Sequence, residues 1–217
     1  MKIAVFVYIG AALAILTTAS GKANAAGEQA FVANKCGECH LTQGPAPEKT
    51  IADQLAKKGP ELWYAGSKFQ QPWLQNWLQD PKPIRPLKYN SLSEENPGDH
   101  PSLAAGDAAS VTEYLMSLTS ADVEAGVIKP KKNPKGKLIF VKKMPCSGCH
   151  QFPGKKFKGG RSGPSLNGAG ERLNPDWIYA YLKKTRVFKP VRMMPIFDGI
   201  LRDKDMKSVA AYVASFK

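Results

Sequence analysis

The sequence predicts an all-α chain that consists of two tandem domains of one helical fold, and three observations predict this class. The motif Cys-x-x-Cys-His occurs at residues 36–40 and again at residues 146–150. Segments that follow the two motifs match at a constant offset of 104 positions. Each half also ends in a segment whose apolar residues recur at helical spacing. We expect the first domain at residues 26–126, a basic linker at 127–137 and the second domain at 138–217.

Residues 1–25 have the order of a secretory signal peptide. A positive start at Lys2 is followed by an apolar run over residues 3–16 and by a small-residue end at 23–25, Ala-Asn-Ala. An uncleaved membrane anchor is the alternative, but the apolar run has 14 residues, and a spanning helix needs about 20. We therefore expect cleavage after Ala25, export to the bacterial periplasm and no stable membrane insertion of the mature chain.

All four cysteines of the chain lie in the two motifs, and each motif ends in a histidine. On a helix, the residues at i, i+3 and i+4 share one face, so two thiols and an imidazole can reach one ligand. Disulfides in an exported protein and zinc sites built from Cys-x-x-Cys pairs are the alternatives. A histidine directly after the second cysteine is the attachment pattern of c-type haem. The sequence therefore predicts two covalently bound haem c groups, held by Cys36, Cys39, His40, Cys146, Cys149 and His150.

The segments after each motif follow one order. Residues 59–62 read Gly-Pro-Glu-Leu and residues 163–166 read Gly-Pro-Ser-Leu, and at the same offset Trp73 corresponds to Trp177. We expect the aromatic residues of these middle segments to pack in the core. The closing segments match at an offset of 98 positions and have the pattern of amphipathic helices. Their apolar positions are Val111, Tyr114, Leu115 and Leu118 in the first repeat and Val209, Tyr212, Val213 and Phe216 in the second.

This order of segments over residues 27–217 resembles class I cytochrome c. It comprises a helix that ends in Cys-x-x-Cys-His, a Gly-Pro-x-Leu loop, an aromatic-rich helix, a loop with prolines and a closing amphipathic helix. The arrangement is most similar to two-domain dihaem cytochromes, which include soluble electron carriers and the haem subunits of flavocytochrome-type dehydrogenases. The resemblance implies that each domain wraps its haem in short helices and that its first and last helices cross.

The loops before the closing helices supply candidates for the distal iron ligands. Residues 192–195 read Arg-Met-Met-Pro, and the resemblance implies that Met194, rather than Met193, binds the iron; loop packing of both is the alternative. The first repeat has His100-Pro101 in the corresponding loop. We expect His100 to be the distal ligand of the first haem, with a surface histidine as the alternative. The predicted iron ligands are therefore His40, His100, His150 and Met194.

The charge of the chain is divided unequally between the two repeats. Residues 26–127 carry 8 Lys and Arg against 13 Asp and Glu, whereas residues 128–217 carry 21 against 5. The linker residues 129–137 are themselves basic, and we expect them to be extended. Such a positive field can steer an acidic partner. We therefore expect an acidic redox protein to dock on the second domain, and we do not expect nucleic acid to be a partner of an exported haem protein.

Two irons with both axial positions filled leave no vacant site for a substrate, so the resemblance implies an electron carrier without catalytic residues. A distal methionine raises the potential of a haem iron, and a second imidazole holds it lower, so we expect electrons to pass from the first haem to the second. Two alternatives remain open. One is a dihaem peroxidase-like enzyme in which His100 leaves the iron, and the other is the haem subunit of a larger oxidoreductase.

Overall fold

The computed structural model describes residues 27–154 and 159–217, and the predicted signal peptide lies outside these ranges. Within them the chain forms helices and two isolated β-bridges but no strand, in agreement with the predicted all-α class. Among these described helices, none has the length and apolarity that crossing a membrane requires.

The first repeat begins with helix α1 at residues 27–31, which runs directly into a π-helical turn. A capping box starts helix α2, because the Thr50 hydroxyl accepts from the backbone N–H of Asp53 and the Asp53 carboxylate accepts from the backbone N–H of Thr50. Helix α4 has a proline in its first turn, where no intrahelical N–H is needed. The elements are the π-turn Val32–Cys36, α2 Ile51–Ala56, α3 Ala65–Lys68, α4 Gln71–Gln79 and α5 Ala105–Ser117.

The second repeat has helices that correspond to α1, α3, α4 and α5, but none in its described residues corresponds to α2, and it has one additional short helix, Thr185–Phe188. Its first helix, α6, begins at Pro134 within the predicted linker, and the Asn133 side chain caps it by accepting from the N–H of Gly136. Within the predicted linker only residues 127–133 lack regular secondary structure, so its extended part is shorter than the charge run suggested. The elements are α6 Pro134–Leu138, the π-turn Ile139–Lys143, the 3-10 turn Cys146–Gly148, α7 Ala169–Arg172, α8 Pro175–Lys183, α9 Thr185–Phe188 and α10 Asp203–Val213.

The short helices α3 and α7, which occupy equivalent positions, pack in the same way in the two repeats. The N–H of Gly66 in α3 donates to the carbonyl of Leu118 beyond α5 at 2.9 Å, and the N–H of Gly170 in α7 donates to that of Phe216 beyond α10 at 2.9 Å. A Cβ on either glycine would overlap the carbonyl oxygen two residues before that acceptor. In the second repeat α6 packs closely against α10, as the resemblance implies. A Cβ on Gly136 would overlap the Ser208 carbonyl oxygen there.

The repeats contact each other through residues at equivalent positions. Phe69 and Leu173, which are 104 positions apart, form an antiparallel β-bridge. The N–H of the residue after Phe69 donates to the carbonyl of the residue before Leu173 at 2.9 Å, and the reciprocal bond measures 2.8 Å. This reciprocity is the pattern of a two-fold interface, in which i contacts j and j contacts i.

Cations extend the same reciprocal contact. The Lys68 ammonium lies 5.2 Å from the ring centroid of Trp177, and the equivalent Arg172 guanidinium lies 5.8 Å from that of Trp73. Each repeat therefore places a basic side chain over an indole of the other within the range of cation–π attraction. Burial lowers the pKa of Lys68 to about 7, so the Lys68 contact is fully cationic only below neutral pH. The two repeats that carry the cysteine motifs therefore share an interface of backbone hydrogen bonds and contacts between basic side chains and indole rings.

Candidate haem sites

Both Cys-x-x-Cys-His motifs lie on a tight helical turn that follows a π-helical turn, rather than at the end of a regular α-helix. The N–H of His40 donates to the carbonyl of Cys36 at 2.8 Å, and the N–H of His150 donates to that of Cys146 at 3.0 Å. These i to i+4 bonds keep the helical periodicity on which the motif spacing depends. The first cysteine and the histidine of each motif are therefore joined by a helical backbone bond without a continuous helix.

The four cysteines are unpaired, so the disulfide alternative is not realised. Burial raises the pKa of Cys36, and it raises the pKa of Cys146 to about 11, so both are thiols near neutral pH. Zinc takes thiolates gathered into one site. In the described part of the chain, His, Cys, Asp and Glu side chains nowhere gather in threes as a metal ion would need. The thiols are therefore suited to separate attachment sites.

A proline carbonyl orients each motif histidine. His40 Nδ1 lies 2.7 Å from the carbonyl oxygen of Pro60, and His150 Nδ1 lies 2.8 Å from that of Pro164. When Nδ1 carries the proton and donates to the carbonyl, the Nε2 lone pair is left for a metal. Burial lowers the pKa of both histidines, which favours the neutral form that binds iron.

The glycine before each proline permits this approach. A Cβ on Gly59 would stand 2.7 Å from His40 Cε1, and a Cβ on Gly163 would stand 2.6 Å from His150 Cε1. The sequence marked both Gly-Pro steps as part of the repeat, but their contact with the histidines was not predicted. The signal that could have found them is their recurrence in both repeats after a motif that must hold a ligand.

The structure brings His100 to the ring of His40. Their ring centroids are 6.2 Å apart with the planes inclined at 50°, and Trp77 packs on His100 at 4.7 Å. Imidazole nitrogens bind metals at about 2 Å, and the ring centre lies about 1 Å beyond the nitrogen, so two imidazoles on one ion have centroids about 6 Å apart. His100 Nδ1 lies 2.9 Å from the carbonyl oxygen of Pro101, which leaves Nε2 for a metal. The pair fits one iron between its rings.

In the second repeat, Met194 is partly buried and packs on the hydrophobic core, whereas Met193 is 57% exposed. The Arg192 guanidinium donates to the carbonyls of Lys189 and Pro190 at 3.2 and 2.8 Å and so folds the loop on itself. Phe197 beyond it is buried. Met194 is therefore the less exposed of the two methionines, and its choice as an iron ligand stays a prediction.

Helices α6–α10, a Cys-x-x-Cys-His turn and a loop with a Met-Pro step lie together in the second repeat. Residues 134–217 match the family model described as Cytochrome c. Neither the curated proteins nor the solved structures gave a significant match to the chain. The matched range is therefore a cytochrome c domain, which supports the class I family, implies covalently bound haem c and supports a haem-based electron carrier.

Proposed function

We propose that the chain is a periplasmic dihaem c-type cytochrome that carries single electrons between redox partners. The first haem is attached at Cys36 and Cys39 and ligated by His40 and His100. The second is attached at Cys146 and Cys149 and ligated by His150 and Met194. The first repeat is then a second domain of the same family as residues 134–217.

The facing rings of His40 and His100 carry this proposal. The first repeat also reproduces the histidine to proline-carbonyl contact of the matched domain within 0.1 Å. The His100 side chain is exposed, and it lies against both an imidazole and an indole. Both features therefore support an iron site with two imidazoles in the first repeat.

Covalently bound haem supplies one-electron chemistry through its iron. The chain positions the axial side chains, with Pro60 and Pro164 holding the proximal imidazoles, and it fills the distal positions so that no substrate can bind there. A distal methionine favours the reduced state relative to a distal imidazole. We infer that electrons enter at the His40 and His100 site and leave through the second repeat, where the net charge of +16 attracts an acidic acceptor.

Electron paramagnetic resonance of the ferric holoprotein tests the ligation. We expect one bis-histidine and one histidine–methionine low-spin signal. In His100→Ala the bis-histidine signal should disappear, and the reduced protein should bind one equivalent of carbon monoxide. Met193→Ala is the matched control for Met194→Ala, and it should keep both signals. Two methionine-type signals in the wild type would overturn the assignment of His100. Binding of carbon monoxide by the reduced wild type would favour the peroxidase-like alternative with a labile His100.

A redox titration of the same protein tests the direction of electron flow. We expect two separate potentials, and in His100→Met the lower one should rise toward the higher, because the two sites then have the same kinds of ligand. Equal potentials in the wild type would rule out the directional relay while leaving the ligation intact.

A further inference from the structure

The distal loop of the first repeat, residues 80–104, reaches across to the second repeat. The carbonyl of Ile84 accepts from the N–H of Ser165 at 2.7 Å, and the Arg85 guanidinium donates to the carbonyl of Ser162 at 2.7 Å. Ser165 directly follows Pro164, the residue whose carbonyl holds His150. The loop that presents His100 is therefore anchored beside the proximal histidine of the other site.

The distal loop of the second repeat, residues 189–202, makes the reciprocal crossing. The Lys189 ammonium lies 2.8 Å from Glu61 Oε2. Glu61 directly follows Pro60, whose carbonyl holds His40. Glu61 and Ser165 occupy the same position of the repeated Gly-Pro-x-Leu loop. Each distal loop therefore contacts the equivalent residue of the opposite repeat.

The Lys189 contact is buried and shared. The Glu61 side chain is fully buried and the Lys189 side chain is 20% exposed. Lys57 also pairs with Glu61, and the Tyr64 hydroxyl donates to it at 3.5 Å. Lys189 further donates to the hydroxyl of Tyr89 in the first distal loop at 3.1 Å. Removal of Lys189 would take a charged partner from a buried carboxylate, which the remaining groups must compensate.

We propose that Lys189 and Arg85 are positioning residues that anchor the distal loops of their own sites to the opposite repeat, so that axial ligation at each iron depends on the other repeat. This inference rests on the proposed function, because it takes Met194 and His100 as the distal ligands. Lys189 lies five residues before Met194, and Arg85 lies 15 residues before His100 in the same distal loop.

The test uses the ferric holoprotein and imidazole as a probe that competes with Met194. We expect Lys189→Met to bind imidazole at the second iron about tenfold more tightly than the wild type, the effect of losing one charged hydrogen bond from the loop. The methionine charge-transfer absorbance should weaken in parallel. Lys189→Arg should restore both readouts to within about twofold, because it keeps the charge and the donor.

Lys184→Met is the matched control. The Lys184 ammonium also crosses to the other repeat, at 2.8 Å from the Asp122 carboxylate, but their side chains are 45% and 35% exposed and lie outside both distal loops. We expect this variant to behave as the wild type. Wild-type imidazole affinity in Lys189→Met would overturn the proposal, as would an equal rise in Lys184→Met.

Two further variants keep the outcomes separate. If Lys189→Met fails to fold, Arg85→Met provides a second test and should alter the bis-histidine resonance signal. Lys88 forms an exposed pair with Glu94 in the same loop, so Lys88→Met should leave the signal unchanged. An unaltered signal in Arg85→Met would contradict the proposal. Persistence of the methionine absorbance in Met194→Ala would show instead that the proposed ligand is wrong.

Discussion

At the residue scale, the glycine before each proline lets the loop approach the motif histidine closely, because it has no Cβ. Gly59 and Gly163 lie against the rings of the motif histidines. The histidine and the proline carbonyl are 20 positions apart in the first repeat and 14 in the second. Because the loop lengths differ, no fixed spacing connects the two residues in the sequence. The cysteines and histidines proposed to hold haem could therefore be predicted from a local motif, whereas the groups that orient the histidines depend on loop closure.

Replacement of Gly163 by alanine tests this contact. The added Cβ would meet His150 Cε1 at 2.6 Å and the Cys149 carbonyl oxygen at 3.0 Å. We expect the unfolding free energy to fall by about 1–3 kcal/mol, as overpacking does elsewhere, and the haem content per chain to decrease. Thermal denaturation and a haem assay measure both.

Gly106→Ala is the control for that substitution. Gly106 lies in α5, and a Cβ there would have no atom within 4 Å. Helix propensity then predicts a gain of about 0.5–1 kcal/mol. If the unfolding free energy of Gly163→Ala fell by no more than that of Gly106→Ala changed, the steric argument would be contradicted.

At the scale of elements, the start of helix α6 was not predicted from the charge pattern. The run of lysines over residues 129–137 favoured an extended linker, but Asn133 and Pro134 form a cap and a first helical turn. Close packing of Gly136 on α10 then fixes the helix. The closing helices α5 and α10, by contrast, were predicted because their apolar periodicity records the core that they face. Elements with a buried stripe are visible in the sequence, and a short helix held by one glycine contact is not.

Substitution of the cap tests where α6 begins. Asn133→Ala should lower the unfolding free energy by about 1 kcal/mol, because the N–H of Gly136 loses its acceptor. Asn133→Ser should retain most of the stability, since serine caps equally well. Chemical denaturation measures both variants. Equal stability of Asn133→Ala and the wild type would mean that the cap is not used.

At the scale of the whole molecule, the interface between the repeats was not predicted. Its central bonds join backbone groups beside Phe69 and Leu173, and backbone donors and acceptors are present at almost every position, so they leave no sequence signature. The buried pair of Glu61 and Lys189 was equally invisible. Glu61 and Lys189 are far apart in the sequence, and only the folded arrangement makes them neighbours.

That buried pair predicts an acid-labile contribution to stability. Burial opposes ionisation of Glu61, but the ammonium groups of Lys189 and Lys57 more than offset it and hold the pKa of Glu61 below its ordinary value. A carboxyl group with a lowered folded pKa stabilises the fold above its unfolded pKa, about 4.3, and loses that contribution as the pH falls through the folded pKa. The stabilisation is thus present at neutral pH and decreases below about pH 4.

Glu61→Gln should therefore be less stable than the wild type by about 3 kcal/mol at pH 7, as expected when a buried pair is broken, and the difference should shrink below about pH 4. Thermal denaturation across the pH range measures the difference. Glu94→Gln, from the exposed pair with Lys88, should stay within about 0.5 kcal/mol of the wild type. A difference for Glu61→Gln that is the same at every pH would show that its carboxylate charge is unimportant.

The contact between equivalent residues around Phe69 and Leu173 is one that two separate copies of a single repeat could also form. Here residues 127–133 tether the copies. A short tether gives the partner an effective concentration in the millimolar range. A contact too weak to hold free molecules together at cellular concentrations is then sufficient, and the spacing between the two Cys-x-x-Cys-His motifs no longer depends on how much protein is present.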